Sequence, residues 1–180
     1  MSAFEFYFSF FGLILGIAVA NVAIGFGRLW RAKEKVRIGI CLPLLGALLL
    51  CHAVMNWNTS WLTLQQVPVE PLSLLIGLFV ALPYVFVSTI MFPEEAVDHG
   101  SLDDFYLNHS RMVMTVLMVP TTAGRIGSIL YGDTYTFAQA LELFLTFFFV
   151  PLVLLFWRNI WAHRIGLGLL VALLLRAIFS

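Results

Sequence analysis

Charge is what this sequence lacks. Of its 180 residues only 11% are Asp, Glu, Lys or Arg, against about a quarter in soluble globular domains. The ten basic and ten acidic residues cancel, so there is no electrostatic footprint for nucleic acid. Lysine is scarcer still. Lys33 and Lys35 share one short loop, which leaves no buried amine for a Schiff base. The two cysteines, Cys41 and Cys51, are expected on one helix about 15 Å apart along its axis. That is too far to bridge each other, so they read as small apolar packing residues. G-x-S-x-G, a phosphate-binding glycine loop and Cys-x-x-Cys are all missing, and the nucleophile, nucleotide and dithiol chemistries lose their usual signatures. The first apolar run is too long for a secretory signal and has neither a basic start nor a small-residue cleavage site.

What is abundant is apolar surface: 61% hydrophobic residues and a mean hydropathy of +0.96. A chain this short cannot bury so much in its own core, but a bilayer can accommodate it. Six stretches approach the roughly 20 residues needed to span a membrane: Phe6–Phe26, Ile38–Trp57, Leu72–Phe92, Phe105–Ile129, Phe137–Phe156 and Ile165–Phe179. The expected fold is an all-α polytopic membrane bundle forming one domain over residues 1–180. The last stretch is the shortest, so five spans is the alternative count. Arg28, Arg31, Lys33, Lys35 and Arg37 crowd the first loop. Loops rich in Lys and Arg stay cytoplasmic, so both termini should face outward. Alternation then places Arg111, Arg158 and Arg164 inside as well, against Arg125 and Arg176 outside.

The polar segments carry their own signals. In Pro93–Asp104 a proline, two glutamates and Gly100 suit a short surface helix. Ser101 with Asp104 three residues on resembles a capping box opening the fourth span. Phe6-Tyr7 recurs as Phe105-Tyr106, and Trp57-x-x-x-Trp61 as Trp157-x-x-x-Trp161. If these mark a repeat, residues 1–92 and 93–180 are inverted three-helix halves of the kind found in transporters; the alternative is coincidence in a Phe- and Trp-rich chain.

Ionisable groups within spans are costly and therefore functional candidates. Glu142 in the fifth stretch, His52 in the second with Asn56 one turn on, and Arg125 and Arg176 in the fourth and sixth share the outer half. Together they would make a proton- or anion-handling cluster; alternatively Glu142 and an arginine form an ion pair stitching helices together. Asn21, Thr121 and Thr122 suit interhelical hydrogen bonds. Pro120 should bend the fourth span. Gly12 and Gly16 permit close helix approach, internal or between copies. On the inner side, Asp98, His99, Asp103 and His109 are the residues from which a divalent metal could draw ligands, although their spacing follows no known ligand pattern. Electrostatic docking of this acidic loop on the basic first loop explains the same residues without a metal. No cofactor is implied.

Gly27-Arg28 closing the first span, the run into Arg37-Ile38-Gly39, Phe92-Pro93 closing the third, and Asp104-Phe105-Tyr106 with Arg111 opening the fourth resemble uncharacterised small multi-span proteins of bacterial inner membranes. That resemblance covers most of the chain. It implies an inner-membrane location and carries over no activity and no site residue. From the residues themselves the expected function is a small transporter- or channel-like protein. The alternatives are a non-catalytic accessory or assembly subunit of a larger membrane complex and, more remotely, a lipid-acting membrane enzyme. The expected partners are the bilayer and either further copies of the chain or a larger complex.

Overall fold

The computed structural model describes residues 3–63, 65, 70–94, 101–130 and 136–179, and only the backbone of residues 3, 63, 124–130, 138 and 142. The described residues form helices and no strand: α1 (Ala3–Ala32), α2 (Cys41–Thr63), α3 (Pro71–Ile90), α4 (Leu102–Leu130), α5 (Phe137–Phe144), a π-helical segment (Leu145–Phe149), α6 (Val150–Phe156) and α7 (Ile160–Phe179). Because α5, the π segment and α6 are continuous, the described residues make six helical rods.

Among the described residues five rods are long and apolar enough to cross a membrane: α1, α2, α3, α5 through α6, and α7. The last stretch forms a longer helix than expected, 20 residues. Its helix begins at Ile160 rather than Ile165, because Asn159 caps it: Asn159 Oδ1 accepts from the Trp161 and Ala162 amides at 2.8 and 3.4 Å. This is the orphan-donor satisfaction that favours asparagine at that position. The rod that falls outside the five is α4, whose first turns hold Asp103, Asp104, Asn108, His109 and Arg111.

Contacts at the two ends show that the rods alternate in direction. At one end, Phe4 and Phe8 of α1 meet Trp61 and Trp57 of α2. At the other, Gly25 and Phe26 of α1 meet Phe92 just beyond α3. Also at this end, the Leu102 amide donates to the Arg37 carbonyl at 3.0 Å. This second end, where the basic loop lies, is called the basic end below. Within the bundle α1 packs on α3 and α2, α2 on α7, α3 on α4, and α4 on α6. Asn21 of α1 donates to Ser88 and Thr89 of α3 at 3.3 and 3.1 Å, the interhelical role expected of it. Thr121 instead donates within its own helix, to Leu117 and Met118 carbonyls at 3.1 and 2.9 Å.

Local chemistry explains the irregular stretches. Glu70 has extended backbone and Pro71 takes the first turn of α3, where a missing amide costs nothing. Pro151 stands directly after the first residue of α6. A proline ring collides with the carbonyl four residues back and offers it no donor. The turn before Pro151 is therefore widened, and the Val150 amide reaches back five residues to the Leu145 carbonyl. The core, centred on Leu42, Leu45, Leu48, Tyr84, Tyr106, Met114, Leu167 and Leu170, is apolar and at most 2% exposed. Large apolar side chains such as Leu13, Phe79, Leu72 and Ile165 point outward. That distribution suits a bundle surrounded by lipid.

Candidate functional site

Two polar centres occupy opposite halves of the bundle. The first lies at the basic end. Gly39 turns the chain into α2 with a φ of +71°, a conformation glycine adopts without steric cost. A Cβ there would collide with the Asp103 carboxylate. Asp103 Oδ1 accepts from the Ile40 and Cys41 amides at 3.1 and 2.9 Å, capping α2 from the first turn of another helix. Its Oδ2 takes Nη2 of Arg164, in α7, at 2.8 Å. One carboxylate thus ties α2, α4 and α7 together. Burial pushes the Asp103 carboxyl up, and the Arg164 guanidinium and Cys41 amide more than reverse this, so its pKa lies below the ordinary carboxylate value. Ser101 Oγ accepts from the Asp103 amide at 3.3 Å, the N-cap expected for α4; Asp104, expected to complete the box, is exposed.

One turn further in, the Tyr106 hydroxyl and His163 Nδ1 share a hydrogen bond of 2.8 Å, both residues being buried. His163 Nε2 and Arg164 Nε are buried with no hydrogen-bond partner among the described residues. Arg158, in the three-residue link before α7, donates to Asn108 Oδ1 at 3.2 Å.

The second centre lies deeper, between α2, α4, the π segment, α6 and α7. His52 is buried, its ring 5.7 Å from Phe147 in a T-shaped contact and 6.3 Å from Tyr84. It borders a cavity of about 20 Å³ whose other polar walls are Thr121 and Thr146, with Met114, Pro151 and Leu170 completing it. That volume holds about one water. Prolines and a π turn adjoin the cavity, and π segments recur at functional positions.

Of the residues expected to cluster in the outer half, His52 and Asn56 lie one turn apart on α2, and Asn56 is a side-chain partner of the Tyr84 hydroxyl. Arg176 is exposed in the last turn of α7. Arg125 and Glu142 belong to α4 and α5, with side chains outside the described residues. Of the residues weighed for a metal, Asp98 and His99 lie outside the described residues. Asp103 is engaged as above, and His109 Nδ1 donates to the Phe105 carbonyl at 2.9 Å. No three His, Cys, Asp or Glu side chains come together among the described residues. Between the two loops the described residues show a backbone hydrogen bond from Leu102 to Arg37, and Asp103 pairs with Arg164 of α7; Glu95 and Asp98 of the acidic loop lie outside the described residues.

Sequence reasoning passed over Tyr106, His163, Arg164, Tyr84 and Thr146. His163 carries a usable signal, an ionisable residue in an apolar helix, hidden by starting that helix five residues late. The chain matches no family model, no curated protein and no solved structure, so the reading of these centres rests on their geometry.

Proposed function

We propose that the chain is a six-span integral membrane protein, transporter- or channel-like, that handles a proton or an ion no larger than a water at the His52 cavity. The supporting observation is that cavity itself, a small pocket whose polar walls are His52, Thr121 and Thr146. A titratable ring inside a membrane is retained at a cost, which favours a role in moving charge. The sixth span is α4. Its 29 residues cover about 43 Å at 1.5 Å each, more than the roughly 30 Å hydrocarbon core. The charged first turns therefore lie at the interface while residues 112–130 cross. The basic end faces the cytoplasm of a bacterial inner membrane, with both termini outside.

The test is ion flux into proteoliposomes under an imposed pH gradient or potential, comparing the wild type with His52→Phe, which fills the cavity. Flux above protein-free liposomes that His52→Phe abolishes is the expected result. Flux of H⁺, Na⁺ and K⁺ equal to the protein-free background overturns the proposal.

One observation favours a second reading. Leu48, Met114 and Leu170 wall the His52 cavity, and Leu45 and Leu167 are buried with them in the apolar core, each at most 2% exposed. Such packing suits a non-conducting accessory or assembly subunit. Native mass spectrometry after gentle extraction separates the two: stoichiometric foreign subunits support the accessory reading, and a lone chain or homo-oligomer supports transport.

A further inference from the structure

A larger cavity, of about 310 Å³, opens at the basic end between the last turns of α1 and the chain leaving α3. Its walls include Leu29, Ala32 and Phe92, and its charged groups are Arg28, Arg31 and Glu94. A Cβ on Gly25 would strike the Phe92 ring, so glycine lets that ring lie against α1 as part of the wall. Arg28 and Arg31 are three residues apart and so share one helix face. Among the described residues neither has an ion-pair partner. In the same turn Trp30 is 68% exposed, with the Lys33 ammonium 4.2 Å over its ring. Amphipathic rings of this kind settle at headgroup depth.

We propose that this cavity binds the phosphodiester headgroup of an anionic membrane lipid. Arg28 and Arg31 hold the phosphate, and the apolar wall receives the glycerol and the start of the acyl chains. Basic pockets between helices at the cytoplasmic side commonly take lipid headgroups. The charge balance selects among phosphates. Two guanidinium groups against one carboxylate leave one net positive charge, which a phosphodiester monoanion neutralises. A phosphate monoester or free phosphate carries up to two negative charges at neutral pH, one more than the site balances. It would be repelled by Glu94 and by the carbonyls ending α1, the negative end of a helix dipole, and would gain nothing from the apolar wall.

The experiment is native mass spectrometry of the purified chain titrated with phosphatidylglycerol or phosphatidylcholine. The wild type is compared with Arg28→Gln/Arg31→Gln, with Lys33→Gln/Lys35→Gln, which removes the same charge outside the cavity, and with Ala32→Leu, which narrows the cavity and leaves the charge unchanged. The wild type should prefer phosphatidylglycerol. The arginine variant and Ala32→Leu should each lose roughly tenfold in its retention, and the lysine variant should stay within about twofold. Equal losses in the arginine and lysine variants, no loss in the arginine variant, or no preference for phosphatidylglycerol would each overturn the site. Displacement of phosphatidylglycerol by an equimolar amount of inorganic phosphate would overturn the lipid as its ligand.

Discussion

Asp103 and Arg164 are 61 residues apart in sequence and 2.8 Å apart in space, and their meeting holds the start of α7 against the starts of α4 and α2. The other carboxylate oxygen caps α2 through the Ile40 and Cys41 amides. The ionised form of Asp103 is therefore the one the fold uses, and its pKa is depressed in consequence. A group with a depressed folded pKa contributes stability above its unfolded value, near 3.9, and loses that contribution as pH falls through the folded pKa. Thermal unfolding in detergent should show a midpoint for the wild type that is steady from about pH 7 to 5 and falls below about pH 4. Asp103→Asn should be less stable on the plateau by about 1–2 kcal/mol, the scale of a lost helix cap, and flatter in the acid window. An acid response unchanged in Asp103→Asn would assign it to other carboxylates.

Gly39 should tolerate no side chain. Its φ of +71° costs an L-residue roughly 1–2 kcal/mol by itself, and a methyl there would displace the Asp103 carboxylate. Gly39→Ala should therefore cost more than the conformational term alone. In the Asp103→Asn background the extra part should shrink, because the contacts it disrupts are already weakened. Additive losses, measured as a double-mutant cycle of unfolding midpoints, would show that Gly39 acts through its backbone only.

Helix positions were legible from hydropathy because the bilayer requirement is a matter of length and composition, and those are local properties. Termini were legible where one residue type answers one orphan amide, as at Ser101. They were missed where the signal was overlooked. Asn159 moves α7 five residues earlier, and Thr136 and Gln139 exchange capping bonds at α5, a Thr-x-x-Gln box present in the sequence. The centres themselves were less legible. His52 stood out as an ionisable residue in an apolar helix. Its neighbours Thr146 and Tyr84, and the partners of Asp103, are set by helix rotation and by which rods touch, neither of which hydropathy encodes. The metal reading drew its residues from one loop because proximity in sequence was the only proximity visible. Asp103 instead finds Arg164 across the bundle.

The Tyr106–His163 hydrogen bond should be expensive to break from one side only. Tyr106→Phe leaves the buried His163 Nδ1 without its partner, a loss of about 1–3 kcal/mol. Replacing both, as Tyr106→Phe with His163→Leu, removes the orphaned group together with its partner and should recover part of that loss. A double mutant at least as unstable as the sum of the singles would mean the pair matters through packing rather than through the shared proton.

Pro151 offers a way to separate stability from the function proposed for the His52 cavity. The proline forces the π turn that carries Thr146 and Phe147 to the cavity wall. Pro151→Ala would restore an amide able to reach the Phe147 carbonyl and allow the segment to relax into a regular α-helix. A proline inside a helix costs about 3 kcal/mol, so the variant should unfold at a higher temperature, by up to that scale. Closing a wide turn to an α turn also rotates the residues before it relative to those after it. Thr146 and His52 would then no longer face one cavity, and flux in proteoliposomes should fall even as the protein becomes more stable. A variant that is stabilised with flux intact would count against the His52 cavity as the proposed site. One that is destabilised would mean that packing of the proline ring against α4 and α7 outweighs the missing amide.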